Sequence, residues 1–182
     1  SQTNDNQEFV VQGLDENFLE QNWTGNLNGQ TEVNIDGTWS RVFRAFNNDT
    51  TYISGDINIH ASGDDSTSYA QVLVGNEQTM MAIYTIPANF TGYLTEYHLS
   101  ASNPGSSSSI DYTVQIKARE YGKIFRVQEV TSVGTAHNVS QILPFPNFLS
   151  PKTDIIICAV DANGGGGTLN ADFDIALVSN EN

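Results

Sequence analysis

Residues 112–119 read Tyr-Thr-Val-Gln-Ile-Lys-Ala-Arg, and from Thr113 onward polar and apolar side chains alternate without a break. In an extended chain successive side chains point to opposite faces, so Val114, Ile116 and Ala118 share one face. Thr113, Gln115, Lys117 and Arg119 share the other. One dry face and one wet face is the pattern of a half-buried antiparallel strand. The same period places Tyr93, Thr95, Tyr97 and Leu99 on one side of 92–100, with Leu94, Glu96, His98 and Ser100 opposite. Phe125 and Val127 alternate with Ile124, Arg126 and Gln128, and Phe173, Ile175 and Leu177 with Asp172, Asp174 and Ala176. No segment sustains a helical period. The chain is expected to be all-β.

Turn chemistry divides the strands. Asn28-Gly29 and Asp36-Gly37 are hairpin signals, because glycine and asparagine enter the left-handed backbone region that tight turns require. Asn103-Pro104-Gly105 with Ser106 to Ser109 reads as a flexible connection, and Gly164 to Gly167 as an exposed loop tip. Pro144-Phe145-Pro146 and Pro151 frame a crossing expected to lie outside any strand. Between these breaks, strands are predicted at 69–75, 80–86, 92–100, 110–119, 124–130, 138–143, 154–160 and 171–178. Eight strands suit an antiparallel β-sandwich of jelly-roll type. Residues 1–62 form a β extension with strands at 8–12, 18–24 with 31–35, 39–46 and 55–60, packed on a sandwich domain at 63–182. The low-complexity stretch Gly63 to Ser68 marks the boundary.

Composition excludes several functions. A length of 182 residues is enough to bury a full core. Twenty-one acidic residues against 7 basic ones give a formal charge of −14. Such a surface repels phosphate backbones and anionic membranes, so neither direct nucleic-acid nor membrane binding is expected. The charge reads first as a solubility device and second as an attraction for cations or a basic partner. No run approaches the length of a membrane span, and no charged-then-apolar leader opens the chain. Its first residue is Ser1 rather than Met, which leaves room for a trimmed segment. Asn-x-Ser/Thr occurs at Asn22, Asn48, Asn89 and Asn138, as chance readily produces in a chain rich in these residues.

A search for chemistry returns little. His60, His98 and His137 are far apart in sequence and lack any His-x-His or His-Glu-x-x-His spacing. Gly-x-Ser-x-Gly and the phosphate loop are absent. Asp161-Ala162-Asn163-Gly164, with Asp172 and Asp174 beyond it, begins like a calcium loop but has no closing acid at a workable position. Cys158 is the only cysteine. It falls in the apolar run 155–160 and is expected to be buried and inert, with Ile156 and Val160 on its strand face. Trp23, Trp39, Tyr52, Tyr69, Tyr93 and Tyr97 could form a sugar-stacking platform, although such stripes more often serve a core or an interface. No catalytic, cofactor-binding or metal-binding residue is assigned. The runs at 80–86 and 155–160 are apolar on both faces, and Phe145 and Phe148 sit among prolines near the surface. Both features point to contact with further copies, as a trimer or lattice.

Several segments together carry a resemblance: "VQGLDENF" (11–18), "LNGQTEV" (27–33), "RVFRAF" (41–46), "GDINIHASG" (55–63), "NEQTMMAIYTIPANFTGYLTEYHLS" (76–100), "FRV" (125–127), "FLSPKTDIIICAV" (148–160) and "FDIALV" (173–178). In order and spacing they resemble small all-β virion proteins of marine tailed phages, which serve as head decoration, cement or tail-associated components. The motifs are turns and strands with no catalytic member. The chain departs from that pattern at its start, where only Ser1 to Asn6 precede the first motif strand. The resemblance implies a non-enzymatic virion structural protein on the outer surface of a capsid or tail, binding its own copies and a major capsid or tail protein. The alternative is a carbohydrate-binding or host-recognition module of a tail fibre or secreted protein.

Overall fold

The structure is a computed structural model describing residues 4–64, 66–103, 110–135, 137–163 and 167–180. All regular structure among these residues is β, in antiparallel sheets. The chain divides into two compact units, Ser1–Met81 and Ala82–Asn182.

The first unit contains β1 (Glu8–Asp15), β2 (Glu20–Asn26), β3 (Trp39–Asn47), β4 (Ile57–Ile59) and β5 (Ala70–Val72). The order β2-β1-β3 makes β1 central, and β4 and β5 form a separate antiparallel pair. The β1–β2 turn is built by Asp15, whose Oδ1 accepts the amides of Asn17 and Leu19, each at 2.8 Å. Phe9 and Val11 alternate inward from β1 and meet Ala45, Ile53, Ile57, Ile59, Ala70 and Val72. Side chains rather than strands hold the segment after β3. Gln7 donates to Tyr52 O at 2.8 Å, Glu77 accepts from Ile53 N at 3.2 Å, and Asp5 accepts from Ser54 N at 2.8 Å. The predicted strand at 31–35 does not form beyond a single bridge between Thr31 and Asn28. The segment 63–68 connects β4 to β5, so the 69–75 strand belongs to this unit and not to the sandwich.

Among the described residues the second unit holds β6 (Ile83–Thr85), β7 (Phe90–Ser102), β8 (Asp111–Arg119), β9 (Arg126–Gly134), β10 (Asn138–Leu149), β11 (Asp154–Asn163) and β12 (Thr168–Ser179). They form two sheets, β10-β7-β12 and β6-β11-β8-β9. Leu94, Tyr97, Leu99 and Ala101 from the first sheet and Tyr112, Val114, Ile116, Val133 and Ile155 from the second belong to one core, the arrangement of a β-sandwich. The pairing is nested: β8 with β9, β7 with β10, β6 with β11. β10 runs through the Pro144-Phe145-Pro146 segment expected to be non-strand, with its pairing to β7 interrupted between Ile142 and Asn147. Proline lacks the N–H a ladder needs and is tolerated there because β10 is an edge strand.

One buried ion pair ties three strands of the larger sheet. Asp154 of β11 is 3% exposed. Its Oδ1 accepts the Thr85 hydroxyl of β6 at 2.7 Å, and its Oδ2 accepts Arg119 Nε of β8 at 2.8 Å. Thr85 and Arg119 are also its register partners on either side. The Arg119 guanidinium lies 4.4 Å from the centre of the Phe125 ring, which shields one of its faces. Asp154→Ala leaves a partly buried guanidinium and the buried Thr85 hydroxyl without this acceptor. It is expected to cost about 3 kcal/mol in urea unfolding, with Asp154→Asn costing less.

Tyr97 supplies a pH test. It is 4% exposed, and burial pushes its phenol pKa above the ordinary value, with the Glu129 carboxylate adding to the effect. The fold therefore favours the neutral phenol. As pH rises past about 10 the unfolded chain releases this proton before the folded chain does, so stability falls from there up to the folded pKa. Ultraviolet titration should find one tyrosine ionising late, and Tyr97→Phe should remove that part of the alkaline loss.

Candidate functional site

The outer face of β10-β7-β12 brings together polar side chains from distant parts of the chain. Its geometry starts from a bulge in β7. Leu94 pairs with Ile175 and Glu96 with Asp174, leaving Thr95 as an extra residue. A bulge shifts the alternation by one position. Gly92 and Leu94 point inward before it, whereas Tyr97, Leu99 and Ala101 do so after it. The sequence-based assignment of Tyr93, Thr95, Tyr97 and Leu99 to one face is thus corrected. Tyr93 lies outside, and Leu94 lies in the core. Glu96, His98 and Ser100 face outward, as expected.

Register places partners beside them. Glu96 lies between Ile142 and Asp174, His98 between Ser140 and Asp172, and Ser100 between Asn138 and Asn170. Glu96 Oε1 lies 3.4 Å from His98 Nε2 and accepts the Ser140 hydroxyl at 3.1 Å. Donor atoms of Glu96, His98 and Asp174 all lie within 4.8 Å of one another. A shallow groove of about 320 Å³ adjoins them, its floor and sides including His98, Ser140, Asn170 and Asp172. At the other end of the sheet, Tyr93 meets Phe148 edge to face, with ring centres 6.1 Å apart. The serine hydroxyl bonds the carboxylate and not the imidazole, which is not the order a nucleophilic relay uses. The donor set offers one imidazole nitrogen and carboxylate oxygens, which is ligand chemistry for a divalent cation.

The residues singled out from sequence are dispersed. His60 is half-buried in the first unit, 4.0 Å from Glu32 and hydrogen-bonded to Ala61 O. His137 is exposed beside Thr135 O at 3.2 Å. Asp161 and Asp172 belong to different sheets, opposite Thr113 and His98 respectively, so the calcium-loop set does not converge around them. The Asn163 side chain and residues 164–166 lie outside the described residues. The six candidate aromatics are divided between the two units. Trp23 and Trp39 pack on the first core, Tyr97 is in the second, and Tyr52 and Tyr69 are exposed. Missed from sequence was the pairing of Glu96-x-His98 with Asp172-x-Asp174. Each two-residue spacing marks a common strand face, but nothing local says that β7 and β12 are neighbours.

Cys158 departs from its expected burial. Ile155 and Ile157 take the inward positions of β11, which turns Ile156 and Cys158 outward, half-buried, while Val160 is exposed at a register shift. The thiol sulfur lies 3.8 Å from Gln115 O. Comparison of the chain with protein-family models, with curated proteins and with solved structures found no match. A half-buried outward thiol should react with a soluble disulfide reagent without denaturant, more slowly than in the unfolded chain. Complete protection in the native protein would contradict this placement.

Proposed function

We propose that the protein is a non-catalytic structural component of a phage virion, a capsid decoration or cement protein that binds its own copies and a major capsid or tail protein on the outer surface of the particle. The observation that carries this reading is the apolar edge of β10. Ile142 is 67% exposed, Phe148 65% and Phe145 88%. Burying each such side chain in a contact stabilises it by about 2 kcal/mol, and exposed apolar groups of this size along one strand commonly mark contact surfaces. Val127 and Val130 of β9 extend the exposed apolar set to the other sheet. The resemblance of the strand and turn motifs to virion proteins supports the same reading. We read the nested pairs β8–β9, β7–β10 and β6–β11 as a jelly-roll arrangement, which supports a small sandwich-type virion protein.

A second reading is favoured by one observation, the exposed Phe148 ring set edge to face against Tyr93 on the same sheet face that carries, past the bulge, rows of Ser, Asn and Asp side chains. Aromatic faces next to fixed polar groups suit glycans, which would make the protein a carbohydrate-binding or host-recognition module.

Light scattering after size exclusion separates the readings. The full chain is expected to run as a concentration-dependent oligomer, strengthened by salt because a charge of −14 opposes association. Phe145→Ser with Phe148→Ser should shift it to monomer with an unchanged circular-dichroism spectrum. A wild-type chain that stays monomeric at every concentration and binds a glycan array would favour the second reading. Gold-labelled antibody on particles whose genome encodes the chain should decorate their outer surface. Particles free of the protein would overturn the virion assignment.

A further inference from the structure

We propose that Glu96, His98 and Asp174 form a binding site for a divalent transition metal of the zinc class on the outer face of β10-β7-β12. The inference goes beyond the assembly role and does not depend on it. Three observations converge. The first is donor geometry. Two strands that are distant in sequence place one imidazole nitrogen and two carboxylate oxygens within 4.8 Å of one another. Around a zinc-sized ion, at ligand distances of about 2.0–2.2 Å, donors sit roughly 3–3.5 Å apart. His98 Nε2 and Glu96 Oε1, 3.4 Å apart, already have that separation, so only the Asp174 carboxylate has to turn inward.

The second is charge. Glu96 and Asp174 are direct cross-strand partners, and like charges so placed destabilise a sheet pair. Among the described residues neither carboxylate has a lysine or arginine ion partner, and Asp172 brings a further negative charge beside His98. A bound dication would relieve this repulsion. The third is access. Asp174 is exposed and the side chains of His98 and Glu96 are partly so, so water or a donor from another molecule can complete the coordination shell. Ser140 holds Glu96 Oε1 at 3.1 Å, the kind of outer hydrogen bond that orients a metal-binding carboxylate. The imidazole selects the metal class. Calcium and magnesium take oxygen ligands, whereas a mixed nitrogen and carboxylate set suits zinc, cobalt or manganese.

The test is calorimetric titration of the full chain with zinc chloride in a non-coordinating buffer, with cobalt as a spectroscopic probe. Wild type should bind one ion per chain, perturb the ring signals of His98, and gain thermal stability that chelator removes. His98→Gln and the double variant Glu96→Gln/Asp174→Asn should each weaken binding by at least about tenfold. These side chains face outward, so the variants should keep the native far-ultraviolet spectrum. Asp174→Asn alone should weaken binding by more than about threefold, whereas Asp172→Asn, which removes the same single charge but no ligand, should weaken it by less. Zinc binding unaltered by His98→Gln would overturn the site. So would equal weakening by Asp172→Asn and Asp174→Asn, because that is the signature of diffuse attraction to an acidic surface.

Discussion

Thr95 sets the phase of β7, the central strand of its sheet. As the extra residue opposite β12, it lets Leu94 and Tyr97 both face the core although they lie three apart. Without that insertion either Leu94 or the trio Tyr97, Leu99 and Ala101 would be turned to water, since a one-residue shift moves every side chain to the opposite face. The same insertion turns Glu96, His98 and Ser100 outward together on the far half of the strand. Core and candidate site therefore share one cause. The bulge also divides the outer face, with Tyr93 and Phe148 on one side of it and the polar rows on the other.

The opposite sheet is held by a different device. Ile155, Ile156 and Ile157 are nearly equivalent in hydrophobicity, so burial alone would discriminate weakly between two registers of β11. Asp154 supplies the missing discrimination. Its two oxygens accept from Thr85 and Arg119, which this register places on either side of it. A slip would strand a buried carboxylate, which costs far more than exchanging one isoleucine for another. A buried ion pair adds little net stability compared with an apolar substitute, so its contribution here is to specify the register.

Both outer faces of the second unit are chemically mixed. One carries Ile156, Cys158 and the exposed valines of β9 beside Lys117 and Gln115; the other carries aromatic and polar halves. A protein whose formal charge is −14 keeps copies apart by repulsion. In the proposed assembly, burial of the exposed Phe145 and Phe148 rings would oppose that repulsion, and a cation at the Glu96–Asp174 pair would reduce it locally. Assembly and metal binding would then be linked through charge, while each remains separately measurable.

Alternation and turn residues are local properties of the backbone, and for that reason the sequence alone determined the all-β class and placed strands near their observed positions. β8 matches its prediction almost to the residue, and Gly29 and Gly37 adopt the left-handed conformations their turns required. The exposure of Phe145 and Phe148 was also legible, because prolines beside large apolar groups mark an edge. Tertiary structure decided what depends on neighbours. The partner of 69–75 proved to be β4, since a three-residue strand is too short to declare where it pairs. Which isoleucine of 155–157 faces inward could not be read from a run apolar on both sides. The conjunction of Glu96 and His98 with Asp174 exists only through the β7–β12 register, a long-range pairing that no local period encodes.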